Sequence, residues 1–275
     1  MTSVLYDAPG PKARRMSRII SYVGIVVIAI GLVVLVLALG APKASANGAV
    51  QPGLWDPSRW DVFNDLAVWR SLGAGALATL QMAAVAAVLA LLLGVLFSFG
   101  RASEAAWIRV PTTIVLEFFR GMPVLLMMLF ILLVFSTGSF WAGVAALAVY
   151  NGAIIGEALR AGIKALPRGQ REAGLAIGLT PVSTRLRIEF PQAFRQMLPI
   201  IIAQLVVLLK DTSLSFVVGY SELTRVGVKN LPDFFGNRYA FSFFFVVLAI
   251  YLAMNLSLSW LARRIARRSG SQATH

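Results

Sequence analysis

RAGIKALPRGQREAGLAIGLTPVSTRLRIEFPQAFRQMLP, residues 160–199, is the longest polar segment of the chain, and long apolar runs flank it on both sides. Its cations are Arg160, Lys164, Arg168, Arg171, Arg185, Arg187 and Arg195, and its acids are Glu172 and Glu189. A basic segment of this length between two apolar runs predicts a structured loop on one face of a membrane protein. Two readings of it stand at this point. It is a platform on which another molecule docks, or an amphipathic linker resting on anionic headgroups.

Composition supports the membrane setting. The chain has 275 residues, of which 58% are hydrophobic and 13% charged. A soluble domain is roughly half apolar and about a quarter charged. The net charge of +13 does not point to nucleic acid, because the cations cluster at the ends of apolar spans. Crossing a bilayer as a helix takes about 20 mostly apolar residues. Six runs qualify: 19–39, 72–99, 111–135, 140–159, 197–220 and 241–261. They are continuous rather than alternating, which predicts helices and not barrel strands.

Lysine and arginine in the short loops set the orientation. One set of loops holds Lys12, Arg14, Arg15, Arg18, Arg101, Arg109, the cations of the basic loop, and Arg263, Arg264, Arg267 and Arg268. The other set holds only Lys43, Arg59, Arg70, Arg225, Lys229 and Arg238. The first set is expected in the cytoplasm, with both termini, as an even number of spans requires. Ala44-Ser-Ala46 after the first apolar run has the form of a signal-peptide cleavage site. The run is longer than the roughly 7–15 residues of a signal core, so an uncleaved helix is expected. The external loop that follows holds Pro42, Pro52, Pro57, Trp55, Trp60 and Trp69. It is expected to be irregular, with its Trp rings at the lipid interface.

Within the basic loop the punctuation is legible. Residues 170–177 are expected to form a short helix, ended by Gly178, which tolerates the left-handed conformation that closes helices. Thr180 then suits an N-cap and Pro181 the first helical position. Pro191 and Pro199 bracket the way back into the membrane. The expected product is two short helices joined by a sharp bend.

Charges also fall inside the apolar runs. Glu117 and Arg120 lie in the third, Lys210 and Asp211 in the fifth. Such residues are costly and either pair or face a water-filled path. Glu117 and Arg120 are three apart on one helix face, so they neutralise each other or line a cavity freed by Gly121 and Pro123. Lys210 and Asp211, beside Thr212, Ser213 and Ser215, either fix packing or line a polar passage. A site of both signs complements an amino acid. Gly152-xxx-Gly156 and the Gly and Ala residues from Gly73 to Ala90 predict close helix approach.

Several classes are excluded. There is no Cys, the lone histidine is the terminal His275, and no Gly-Lys dipeptide occurs that could form a phosphate-binding P-loop. No acidic cluster has metal-ligand spacing. An enzyme, and an ATPase in particular, is not expected.

The loop reads Glu172-Ala173-Gly174, three residues, Gly178, nine residues, Ile188, one residue, Phe190-Pro191. This resembles the E-A-A, three, G, nine, I, one, L-P signature of permease subunits of ATP-binding cassette importers. It departs at Gly174, where the signature has Ala, and at Phe190, where it has Leu. A helix-interior glycine costs about 1 kcal/mol relative to alanine, so Gly174 is expected to loosen this helix. Residues 150–157, 160–163, 167–170, 117–123, 210–214 and 222–224 are similar to the polar amino acid branch of that family. The resemblance covers about residues 71–262.

The resemblance implies an all-α polytopic protein of six transmembrane helices. Five form a type I importer core, and one lies N-terminal to it. Residues 1–70 are then an N-terminal segment, first helix and external loop. Residues 71–265 are the permease core with its coupling loop, and 266–275 a cytoplasmic tail. Glu172, Ala173, Gly174, Gly178, Ile188 and Pro191 would couple to cytoplasmic ATPase subunits. Lys210, Asp211, Thr212, Ser213, Glu117 and Arg120 are the candidates for the substrate path. No cofactor is expected on this chain, ATP and magnesium belonging to the partner ATPase. Other implied partners are an extracytoplasmic amino-acid-binding protein, a second permease subunit and the bacterial cell membrane. Arg120 and Lys210 lean the substrate toward an acidic amino acid such as glutamate. The competing class is an ion-gradient-driven secondary amino acid carrier, which would need internal repeats and interrupted helices at mid-membrane.

Overall fold

A computed structural model describes residues 10–44 and 50–270. Ser45, Ala46 and His275 lie outside the described residues. The chain divides into two units, residues up to Asn64 and residues from Asp65.

The first unit is a long helix with a folded cap. Helix α1 (Pro11–Gly40) starts with Pro at its first position, where no donor is lost. None of its most apolar stretch is buried within the protein. A helix apolar on all sides belongs in lipid. The following segment folds back onto its end: Leu54 N donates to Leu39 O at 3.0 Å and Trp55 Nε1 donates to Val36 O at 3.0 Å. These bonds satisfy carbonyls that a helix end leaves without partners. Trp60 stacks on Trp55 at 6.4 Å and donates to Leu54 O at 3.1 Å. Trp55 and Trp60 therefore tie the loop to the helix end. The loop is also less irregular than its prolines suggest. It contains a short antiparallel pair, β1 (Lys43–Ala44) and β2 (Val50–Gln51), and two 3-10 turns.

The second unit is built around two helices. Helix α2 (Leu66–Arg101) is capped by Asp65, whose side chain accepts from Ala67 N at 2.8 Å. Its buried residues, among them Leu72, Gly75, Thr79, Met82, Ala86, Ala90 and Gly94, recur every three or four positions. That stripe packs against α5 (Ser139–Ala165), the most enclosed of the long helices. The two backbones nearly touch. A Cβ on Gly152 would sit 2.9 Å from Leu93 Cβ, and one on Gly156 would sit 2.9 Å from Gly94 O. Gly73, by contrast, faces open space.

Between them the chain does not form the straight span expected over 111–135. Helix α3 (Ala106–Gly121) and α4 (Val124–Phe135) meet at 106°. Met122 is extended (φ −87°, ψ 129°), as the residue before Pro123 must be. Five helices are thus long and apolar enough to cross a membrane among the described residues, and the bent pair makes the sixth candidate.

Helix α6 (Arg168–Ala176) follows α5. After α6, α7 (Pro181–Thr184), a π-turn (Arg185–Glu189) and α8 (Phe190–Asp211) form one continuous helical run into a 3-10 turn, Thr212–Phe216. The second helix of the loop is therefore not short: it is the start of the next span. Pro191 does not interrupt it. Phe190 N bonds to Arg185 O, five residues back, and this wider turn makes room for a proline that lacks a donor. A second π-turn, Val226–Asn230, lies between α9 (Leu223–Arg225) and α10 (Leu231–Phe235) and likewise precedes a proline, Pro232. The last helix is α11 (Ala240–Gly270).

Buried polar groups tie these elements. Glu222 is fully buried. It accepts from Thr224 N and Arg225 N, both at 2.8 Å, and from Tyr251 Oη at 2.7 Å. Gln204 Nε2 donates to Asn151 Oδ1 at 2.7 Å, joining α8 to α5.

Candidate functional site

The basic loop folds as a hinge. Gly178 has φ +84°, Gly178 N donates to Leu175 O at 3.0 Å and Leu179 N to Gly174 O at 3.1 Å. Thr180 Oγ1 accepts from Ser183 N at 3.2 Å and starts the next helix one residue before Pro181. Glu172 and Ala173 are exposed, while Ile188 is half-buried and Pro191 exposed. Apolar side chains are exposed beside them: Ile177 (76%), Val182 (63%), Leu186 (50%) and Leu175 (40%). Sequence reasoning passed over these four, although apolar residues inside a basic loop were the available signal. An exposed apolar tip ringed by cations suits a protein partner.

Gly174 is buried in a close contact rather than lying free within α6. A Cβ there would meet Thr184 Cγ2 at 2.6 Å and Ile188 Cδ1 at 2.9 Å. The missing methyl lets α6 lie flush on α7 and the π-turn. Two side-chain links hold it to neighbours: Arg171 pairs with Glu104 at 2.5 Å, and Gln192 Nε2 donates to Gln170 Oε1 at 3.1 Å.

Glu117 and Arg120 do pair, at 3.2 Å, but they are part of a longer chain of charges. Glu117 also meets Arg101 at 2.8 Å, Arg101 meets Glu157 at 2.6 Å, and Arg160 Nε donates to Glu157 at 2.8 Å. Because α3 turns away at Gly121, these residues gather at the Arg101 end of α2 rather than along a straight span. The chain links α2, α3 and α5. Its outer members, at 50% and 38% side-chain exposure for Glu117 and Arg120, contribute little, whereas Arg101 at 18% sits at its centre.

Lys210 stands on the wall of a groove of about 420 Å³ between α8 and α11, with Ser213, Thr224, Tyr251, Asn255 and Ser259. Asn255 is nearly buried, and its Oδ1 has no hydrogen-bond partner among the described residues. Asp211 is half-buried and is not on that wall. The hydroxyl run does not line a passage together. Thr212 is fully buried and donates to Leu209 O at 2.7 Å, and Ser215 is fully buried and donates to Thr212 O at 2.6 Å. Only Ser213 reaches the groove. Successive helical residues point about 100° apart, so a linear run cannot share one face. The groove's far wall comes from α11, to which the sequence analysis assigned no substrate-path residue.

Apolar spans around a groove that carries a few polar groups on a largely apolar wall, with a structured basic hinge projecting at one end, define a membrane transport component. The family model for the binding-protein-dependent transport system inner membrane component matches residues 86–270. The glutamate transport system permease protein GluD of Corynebacterium glutamicum is 37% identical over 225 residues, 78% of this chain and 81% of that protein. The glutamine transport system permease protein GlnP of Escherichia coli is 33% identical over 217 residues, 75% of this chain and 97% of that one. A crystal structure of an amino acid ABC transporter with histidines superimposes with TM-score 0.65 at 30% identity, covering 72% of this chain and 94% of that chain. The inward-facing MetNI methionine ABC transporter, at 18% identity and TM-score 0.63, shares the fold. The chain therefore belongs to the binding-protein-dependent transport system inner membrane component family. It is a multi-pass permease subunit and not an enzyme.

Proposed function

We propose that this permease imports a polar amino acid, driven by ATP hydrolysed on separate cytoplasmic subunits that bind ATP and magnesium. The observation that carries the coupling half is the hinge at Gly178 with its exposed apolar tip, Leu175, Ile177, Val182 and Leu186. A partner ATPase grips this tip with Glu172 and Ala173 at its centre. Gly174, Ile188 and Pro191 act from behind, by packing α6 and carrying its movement into α8. Both termini and the hinge are on the cytoplasmic side of the cell membrane, as the loop cations require. An extracytoplasmic binding protein delivers substrate, and a second permease subunit, a copy or a paralogue, completes the path.

Glutamate is the favoured substrate. GluD, whose printed name specifies glutamate, is 37% identical to this chain, and Lys210 offers a cation on the wall of the groove. Ser213, Thr224 and Asn255 supply hydrogen bonds there, and Glu117 and Arg120 act at the gate end of α3. Family membership weighs against an ion-gradient-driven carrier. Glu172→Lys tests the coupling: uptake and transport-linked ATP hydrolysis should collapse while the protein still inserts. Normal uptake by that variant would refute docking through α6. Competition of labelled glutamate by unlabelled glutamine, arginine and histidine tests the substrate.

A further inference from the structure

Between α6, the end of α5 and the α2–α3 connection lies a pocket of about 620 Å³ that shares only Glu172 and Leu175 with the docking tip and whose basic lining the transport reading leaves without a role. Seven Lys or Arg side chains and three Glu side chains line it. Some of that charge is already matched: Arg101 and Arg160 meet Glu157, and Arg171 meets Glu104. The remainder is matched loosely, as Arg185 is by Glu189 at 3.8 Å, or by no carboxylate among the described residues. Lys164 and Arg168 are exposed and have no carboxylate partner among the described residues. Arg109 donates to the backbone oxygens of Ser103 and Glu104, both at 3.2 Å, which leaves its charge uncompensated. Arg185 has 11% side-chain exposure, its buried Nε has no hydrogen-bond acceptor, and the nearest carboxylate oxygen is 3.8 Å away on Glu189. A donor buried without an acceptor is costly unless a ligand supplies one.

The helix that supplies the pocket's rim points to the class of ligand. Arg109 lies on α3 between Trp107 and Val110, and Trp107, Val110, Ile114 and Phe118 form an exposed apolar stripe (79%, 51%, 64% and 59%). Such a stripe, spaced at three or four residues, faces lipid. A pocket whose rim is on the same helix therefore opens at the level of the headgroups. Basic pockets at the inner surface of a membrane are suited to anionic headgroups. We propose that this pocket holds the phosphate headgroup of an anionic phospholipid of the cytoplasmic leaflet, wedged between the hinge and the ends of α2 and α5. The leaflet named rests on the orientation proposed above. A headgroup there would hold α6 against the core and make coupling sensitive to lipid charge.

Native mass spectrometry of the full-length chain in detergent, with added phosphatidylglycerol or phosphatidylcholine, tests this without any ATPase. One phosphatidylglycerol should be retained in preference to phosphatidylcholine. Lys164→Gln with Arg168→Gln should weaken retention about 30-fold, the effect of removing two cations near the surface. Arg263→Gln with Arg264→Gln, a basic pair elsewhere, should not. Equal retention of the two lipids, or equal losses in the two double variants, overturns the site. Glycerol phosphate displacing the lipid at equal concentration overturns the lipid assignment in favour of a soluble phosphate. The readout does not involve transport, so its failure would leave the importer reading standing, and failure of Glu172→Lys to block uptake would leave the lipid site standing.

Discussion

Gly174→Ala sets two physical effects against each other. Alanine is favoured over glycine within a helix by about 1 kcal/mol, and the permease signature carries alanine here, so propensity argues for a firmer α6. Packing argues the reverse. The new Cβ would lie 2.6 Å from Thr184 Cγ2, 2.9 Å from Ile188 Cδ1 and 3.0 Å from Thr184 Oγ1. Ile188 can swing its terminal methyl aside. Thr184 cannot: it is fully buried and stiff about χ1, and its amide donates to Thr180 O at 2.9 Å. Overpacking costs about 1–3 kcal/mol, so after the propensity gain the net effect is a loss of up to about 2 kcal/mol confined to the α6–α7 contact. Hydrogen exchange reads it directly. The amides of Ile177, Gly178 and Leu179, bonded to Ala173, Leu175 and Gly174 oxygens, should exchange about tenfold faster, and uptake should fall with them. Adding Thr184→Ser removes the obstructing methyl and should restore both. Unchanged or slower exchange in Gly174→Ala would show that propensity wins and that the packing argument is wrong.

Three further outcomes follow from the same contacts. Glu222→Ala removes the acceptor of two backbone amides and of Tyr251. It should cost on the order of 2–3 kcal/mol, read as a lower unfolding temperature of the purified permease, whereas Tyr251→Phe should cost about 1 kcal/mol. Lys210→Gln should raise the KM for uptake with expression unchanged, while Thr212→Val should leave KM alone and lower stability, because Thr212 is buried away from the groove. Arg101→Met should destabilise by about 2 kcal/mol, since it leaves Glu117 and Glu157 short of a cation, and Arg120→Met by less than about 1 kcal/mol. Equal losses at Arg101 and Arg120 in thermal unfolding would contradict the ranking by exposure.

What was readable in the chain depended on how local the cause is. The apolar runs became helices at nearly the expected places, because about 20 residues without charge admit little else in lipid. The end of α6 at Gly178 and the restart at Thr180-Pro181 were equally legible, since each acts on its own backbone. Other features were not. Hydropathy adds along the chain and has no direction, so 111–135 read as one span although Pro123 turns it through 106°. The loop's second helix was expected to be short, with Pro191 marking the way back into the membrane, yet a π-turn upstream accommodates Pro191 within one continuous helix.

Class, membrane setting and the hinge's punctuation therefore came from the order of residues alone, because hydropathy, capping and glycine φ are decided within a few positions. The tertiary structure decided which charges meet and which hydroxyls face the groove. Arg101 and Glu157 are far apart in sequence yet 2.6 Å apart in space. It also decided that Gly174 lies in close contact with Thr184 and Ile188, a neighbourhood its helix propensity could not reveal. Those outcomes depend on what lies across a gap of a few ångströms, and that neighbour is chosen by the packing of distant helices.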